Sequence, residues 1–371
     1  MPSTTGRVLD AIRQIDEWVQ PNGVQGAGIA VAHRGQIVAE RYAGEARPGV
    51  PVSGSTLFAL ASVTKPVAAT GALAAAEDGF LSLDEPIVRL VPTFAEGASD
   101  VASAEARSSV TFRQLLSHTG GSAEDLGAAR SELPLVPTLS ELTEAHLRAP
   151  SAFSPGSTVG YSNTGFAVLA EAVQRAVGEE FWSYVQRRTL HDPALADIVV
   201  RPAPEQIERL TVLADAANVE TATESYNSAW WREMALPWGG AYGTPRALAL
   251  FAAAFLDPAS SMIGLSWASR SEMTRNQAGG LPGGVSSGRV WWQDASWGLG
   301  WEVKGTKRRH WSGELTSPDT FCHFGQAGTL VWVDPRLELA VAVFTNRSVA
   351  KMWGFILSRW LRLANALAAA I

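Results

Sequence analysis

The chain has 371 residues, 46% of them apolar and 18% charged, and a net charge of −6. Charge below the common share of roughly one quarter, with ordinary apolar content, excludes a disordered or filamentous chain and predicts a compact fold of about two or three units. The acidic balance argues against a nucleic-acid partner, which needs a basic face to neutralise phosphate.

The first residues, Met1 to Arg7, show no basic-then-apolar leader, and Asp16 and Glu17 follow soon after, so a cytoplasmic protein is expected. Val8 to Val19 places apolar residues at helical spacing, ended by Gly23 and Gly26. From Ala27 the period becomes strand-like: Gly28 to Ala32, a turn at Arg34-Gly35, and Ile37 to Tyr42 predict a hairpin. Thr56 to Leu60 then leads into an Ala-rich helix from about Val63 to Glu77, stopped by Gly79.

From Leu81 to Phe255 the chain reads as helices joined by Pro/Gly turns. One starts behind the N-cap Thr111 and runs through Leu116; another spans Asn163 to Val177 and stops at Gly178, with Glu180 to Leu190 continuing the pattern. Thr244-Pro245 is an N-cap and first-turn pair for Arg246 to Leu256. Ala247 to Phe255 is too short to span a bilayer and Asp257 ends it, so no membrane partner is expected. Gly279 to Gly288 reads as a loop, and Lys307-Arg308-Arg309 as a solvated one. Strands are expected at Gly298 to Val303, Gly328 to Val333 and Glu338 to Thr345, and a last helix from Val349 to about Leu367. Strands near both ends with helices between them predict one sheet built from both chain ends and a helical insertion. Cys322 is the single cysteine, which excludes a disulfide framework and paired-cysteine zinc or redox motifs and fits a small buried hydrophobe.

The residues that suggest chemistry begin with Ser62-Val63-Thr64-Lys65, at the point where strand gives way to helix. On a first helical turn, Ser62 and Lys65 share one face, and the helix N-terminus offers free N–H groups for an oxyanion. Lysine, with an ordinary pKa of about 10.4, becomes a base when desolvation or nearby cations lower it, so the pair can be a nucleophile and its proton acceptor. The bland alternative is a helix cap and a surface lysine. Tyr161-Ser162-Asn163 follows a Ser154-Pro155-Gly156-Ser157 turn. Its phenol can act as a base if an ammonium holds it ionised, and Asn163 offers donor and acceptor to a substrate amide or to Lys65; alternatively Asn163 is only a cap. His323-Phe324-Gly325 is placed at the start of a strand, where Gly325 would let backbone approach a ligand and the N–H of Gln326 could face a cleft.

In order and rough spacing, Ser62-x-x-Lys65, Tyr161-Ser162-Asn163 and His323-Phe324-Gly325 resemble the three motifs of class C β-lactamase-like serine hydrolases. That group includes family VIII carboxylesterases, DD-peptidases and D-aminopeptidases, and relates to the S-x-x-K, S-D-N and K-T-G set. Leu115 to Gly120, Gly239 to Thr244 and Trp297 to Trp301 also look like the family, so the likeness runs from about Gly28 to the C-terminus. It implies an α/β (α+β) fold of the β-lactamase/penicillin-binding-protein type: a mostly antiparallel sheet from residues 1–75 and 245–371, and an all-helical domain from 76–244. It further implies Ser62 as nucleophile, Lys65 and Tyr161 as the proton-handling pair, the N–H groups of Ser62 and Gln326 as oxyanion hole, and Asn163, His323 and Gly325 at the substrate. No metal or organic cofactor is implied.

The third motif departs from the family. His323 replaces a lysine that would hold a substrate carboxylate, and it is mostly neutral at its ordinary pKa near 6.5. Phe324 replaces a hydroxyl and adds apolar surface if its ring turns toward the cleft. Both changes favour an uncharged, hydrophobic ester over a penicillin; a D-amino-acid peptidase, a weak β-lactamase and a non-catalytic binding protein are the alternatives. Arg347 could stand in as a carboxylate clamp, although a surface role suits it better. Of 14 tryptophans, Trp230, Trp231, Trp238, Trp291, Trp292, Trp297 and Trp301 fall in segments expected to border the cleft. Gly284-x-Ser286-x-Gly288 fits the nucleophile-elbow pattern but lacks its strand-to-helix context. His118 is expected to cap or buttress a helix, and His33, His146, His191 and His310 to lack ligand-like partners.

Overall fold

The computed structural model describes residues 3–96 and 101–371. Helix α1 (Thr4–Ile12) starts at Ser3, whose hydroxyl accepts from Gly6 N. It is followed by strands β1 (Gly26–His33), β2 (Gln36–Arg47) and β3 (Val50–Pro51). The β1–β2 turn has Arg34 and Gly35 at φ 53° and 76°, the two left-handed residues that match the twist of a tight hairpin. Helices α2 (Thr64–Glu77), α3 (Asn163–Val177), α4 (Phe181–Thr189) and α5 (Pro245–Ala253) come next. Strands β4 (Glu302–Val303), β5 (Phe321–Gly325), β6 (Thr329–Asp334) and β7 (Leu339–Thr345) and helix α6 (Val349–Ala370) complete the chain.

The seven strands form one antiparallel sheet in the order β4-β5-β6-β7-β1-β2-β3. Its centre joins the two chain ends, with Ile29 opposite Val343 and Val31 opposite Val341. Because side chains alternate between faces, Ile29, Val31, Trp332, Val341 and Val343 meet α1 and α6, while Ala30, Ala32, Val331, Ala340 and Ala342 face the other way. That second face is paved with small residues, which lets α5 lie close; a Cβ on Gly28 would stand 3.1 Å from the Pro245 ring.

Helix α2 is buried from Thr64 to Ala75, the condition for a helix apolar all round. It crosses α4 at Gly71, where a Cβ would come within 2.6 Å of Val185, and packs on α3 as well. Capping chemistry set the boundaries as expected. Thr111 forms a reciprocal box with Gln114, Thr244 accepts from Ala247 N, and Gly178 ends α3 at φ 68°.

Four local expectations are corrected. The strand expected at Gly298 to Val303 shrinks to β4, because Gly300 turns at φ 82° with its backbone against Ala69 and Lys65. The Gly279 to Gly288 tract holds a strand, Gly283–Val285, which pairs parallel to Val159–Gly160 and antiparallel to Val290–Trp292. Its glycines serve close backbone approach; a Cβ on Gly284 would sit 1.9 Å from Val290 O. Ser286 lies in the turn of that hairpin. His323-Phe324-Gly325 forms the end of β5, not its start. Lys307, expected in solvent, is buried on the Glu302 carboxylate. Among the described residues, no helix is long and apolar enough to cross a membrane.

Candidate active site

Ser62 sits in a one-turn 3-10 helix, Ala61–Val63, that delivers the chain into α2. Ala61 before it holds φ 48°, a left-handed conformation costly for an L-residue and found where surroundings over-determine the backbone. The surroundings here are the end of β5 and the start of β6: Thr329 Oγ1 donates to Leu60 O at 2.8 Å. A Cβ on Gly325 would lie 2.3 Å from the same carbonyl. Gly325 is therefore required by close approach to the Ser62 turn, where approach to a ligand was expected.

Lys65, one helical turn on, is completely buried. Its Nζ lies 3.4 Å from Ser62 Oγ, 2.7 Å from Asn163 Oδ1 and 2.9 Å from Trp238 O. Burial pushes its pKa well below the ordinary lysine value of 10.5, only partly offset by the charges of Asp125 and Glu124. A neutral amine has two N–H donors and one lone pair. The Asn163 and Trp238 oxygens take the two donors, leaving the lone pair for the Ser62 hydroxyl. The Trp238 carbonyl was not legible in the sequence. Its signal was the Gly239-Gly240 pair after it, whose tight turn brings a Gly240 Cβ position to 2.2 Å from Leu236 N.

Tyr161 reaches the same point from another element. Its N–H donates to Gly284 O at 3.1 Å, which anchors it beside the small parallel strand pair. Ser162 Oγ then caps α3 by accepting from Gly165 N, and Asn163 N donates to Glu124 O. The Tyr161 ring lies under Lys65 Nζ, 4.6 Å from its centroid, and packs against His118, Trp297 and His323 at 4.7, 5.9 and 5.9 Å. Burial raises the phenol pKa strongly, with the Ser62 hydroxyl acting in the opposite sense. Burial thus moves the phenol and the amine in opposite directions, each toward its uncharged form. His118 buttresses the Tyr161-Ser162 turn: its Nδ1 accepts from Ser162 N at 3.1 Å, so Nε2 carries the proton. Burial holds His118 neutral.

His323 lines a recess of about 50 Å³ shared by Ser62, Tyr161, Asn163, Trp297, Glu302 and Gln326. Its Nδ1–H donates to Phe324 O at 2.9 Å, and its Nε2 is buried with no partner. Burial depresses its pKa to about 3, so no cation stands where the family pattern has lysine. The Phe324 ring points through the sheet to Trp311, Trp353 and Trp360, at 4.7, 5.8 and 6.2 Å, because consecutive strand residues face opposite sides. Phe324 borders the recess but does not line the main cleft. Gln326 lines both the recess and the main cleft.

That cleft, of about 530 Å³, opens from Ser62, Asn163 and Gln326 between Trp230, Trp231, Trp238 and Tyr226. Three of the seven expected tryptophans thus border it, and Trp297 borders the recess. Trp301 is core against Phe255 and Phe321, Trp291 is exposed, and Trp292 packs on Trp311. Arg347 binds Asp215 and the Gly23 carbonyl and does not line the cleft. His310, expected to lack partners, lies with Glu302 and Cys322 in a buried cluster whose ligand-type atoms fall within 4.8 Å of one another. Lys307 already holds that carboxylate at 2.8 Å and spends its other protons on Ser296 O and Val303 O.

The sequence model of the family described as Beta-lactamase matches residues 11–359. The chain belongs to the β-lactamase family. Similar members include esterase EstB of Burkholderia gladioli, 34% identical over 46% of this chain and 45% of that protein. The D-alanyl-D-alanine-carboxypeptidase/endopeptidase AmpH of Escherichia coli K12 is 26% identical over 66% of this chain and 60% of its own. A solved family VIII carboxylesterase superposes with a TM-score of 0.75 at 19% identity, covering 100% of this chain and 98% of that one, which shows the shared fold. In this β-lactamase-family chain the residues of all three motifs meet around the Ser62 hydroxyl.

Proposed function

We propose that this protein is a serine hydrolase that forms an acyl-enzyme on Ser62 and hydrolyses small or hydrophobic carboxylic esters. The observation that carries this reading is the fully buried Lys65 Nζ, its pKa pushed well down by desolvation, standing 3.4 Å from Ser62 Oγ.

In this mechanism Lys65 takes the Ser62 proton as Oγ attacks the ester carbonyl, and the N–H groups of Ser62 and Gln326 receive the oxyanion. On collapse the Tyr161 phenol gives its proton to the departing alkoxide and is reprotonated from the Lys65 ammonium, so both groups return to their starting states. Water then enters, gives a proton to the same pair and attacks the acyl carbon; Ser62 leaves with that proton. Asn163 holds Lys65 in line. Of the two bases the sequence offered, a lysine amine and an ionised phenol, this takes the amine, because burial moves the two pKa values in opposite directions.

The neutral His323 favours esters without a carboxylate. A second reading, a D-amino-acid peptidase, is favoured by the likeness to AmpH. Short-chain nitrophenyl esters test the proposal: Ser62→Ala should lose at least about a thousandfold in kcat/KM and all fluorophosphonate labelling. Unchanged ester turnover in that variant refutes the acyl-enzyme, and turnover of D-peptides far above esters promotes the second reading.

A further inference from the structure

The main cleft carries more charge than ester hydrolysis requires, and it is unevenly distributed. Asp125 lines it, and among the described residues no cation pairs with its carboxylate; its side chain accepts only from the next backbone N–H, Leu126 N at 2.9 Å. The other titratable groups of the cleft do not answer it. His146 is held neutral, its pKa depressed to about 4 chiefly by burial, and burial pushes the Lys65 pKa well down as well. Arg130 lines the same cleft, but among the described residues it forms no ion pair with Asp125; its guanidinium donates to Pro134 O at 3.4 Å, and it also borders a second groove beside the exposed Leu135 and Val136. In the neighbouring recess Glu124 accepts from Ser287 N and adds a second negative charge, while Glu302 is already held by Lys307.

The same cleft is lined by a group of aromatic rings. Tyr226 and Trp231 lie 4.6 Å apart, Trp230 and Trp231 6.2 Å, and Trp238 completes the lining beside His146. The negative faces of such rings attract cations, and a carboxylate among them supplies the countercharge. Asp125 is exposed where it lines the cleft, so its carboxylate is open to an incoming ligand.

We propose that this cleft selects substrates bearing an ammonium or quaternary ammonium group, held by Asp125 against Tyr226, Trp230 and Trp231. The inference rests on the Ser62 acyl-enzyme reading for the bond that is broken, but not for binding of the cation. It also gives a second reason for disfavouring carboxylate-bearing lactams: their charge would meet Asp125 and Glu124.

Two pairs of isosteric esters test it. Acetylcholine against 3,3-dimethylbutyl acetate places the charge on the alcohol; 4-(trimethylammonio)butyrate against 5,5-dimethylhexanoate nitrophenyl esters place it on the acyl group. In at least one pair kcat/KM should favour the cation by about tenfold, and Asp125→Asn should reduce that ratio severalfold while Asp125→Glu restores most of it. Using the ratio cancels changes common to both esters. Equal turnover in both pairs, or a preference indifferent to Asp125→Asn, overturns the proposal. Tryptophan-fluorescence titration of Ser62→Ala protein with choline and with 3,3-dimethylbutanol reads the same selectivity without catalysis. Tighter choline binding that is lost with Asp125 sustains the inference even if esters are not hydrolysed, and equal binding of the two overturns it.

Discussion

Lys65 and Lys307 are both buried in this molecule, and they are treated in opposite ways. Lys307 is fully enclosed, yet its ammonium meets the Glu302 carboxylate at 2.8 Å, two backbone carbonyls, and the faces of Trp292 and Trp297. Lys65 is equally enclosed, but its hydrogen-bond partners are an amide oxygen, a carbonyl and a hydroxyl, none of them charged. A buried ammonium with a carboxylate remains a cation and ties structure together; without one, desolvation favours the amine. The same residue type is a clamp in one place and a base in the other, and the difference is one carboxylate.

The comparison can be broken first at Lys65. Lys65→Met should lower kcat by about 10²–10⁴-fold, as for loss of a general base, without loss of folded protein, because a methionine relieves a desolvated group. Lys65→Arg should not rescue it, since a guanidinium stays protonated; Tyr161→Phe should fall in the same range. Steady-state kinetics beside a urea unfolding curve separates the two effects, and near-full activity in Lys65→Met would end the base assignment.

Lys307→Met should show the reverse pattern. It leaves the buried Glu302 carboxylate with only His310 Nε2, at 3.2 Å, in place of its ammonium, a loss of about 3–5 kcal/mol, whereas the double variant Lys307→Met/Glu302→Leu should recover most of that loss. A single variant as stable as the parent in urea would mean the pair is not the clamp described here.

The pH profile sharpens the contrast. Activity requires neutral Lys65, so kcat/KM should be on its plateau above the depressed lysine pKa and fall as pH drops through it. The acid limb must therefore lie well below 10.5, and a limb near that value would contradict burial as the controlling term. Asp125 raises the Lys65 pKa, so Asp125→Asn should move the limb slightly further to acid. The smallest effect is expected at the third motif. His323→Lys should improve binding of carboxylate-bearing lactams only modestly, because Glu302 borders the same recess and would attract the new ammonium. A competition assay against an ester substrate measures it.

Much of the site was readable without coordinates because it depends on short-range geometry. Ser62 and Lys65 share a face through helical spacing; Ser162 and Thr244 cap their helices, and Gly178 stops α3. The hairpin turn at Arg34-Gly35 is equally local. The less legible features all involve partners far along the chain. Trp238 O meets Lys65 across 173 positions, and Gly283 meets Val159 only once the small strands pair. Lys307 reads as a surface basic run until Glu302 is found beneath it.

What the sequence determined alone, then, is the set of reactive groups and the local frames that carry them, since caps, turns and helical spacing act within a few residues. The tertiary structure decided the protonation of Lys65, the direction of Phe324, the place of Gly325 and the isolation of Asp125. Those depend on which distant segment supplies or withholds a charge, a carbonyl or a wall, and desolvation exists only after the segments have closed around the group.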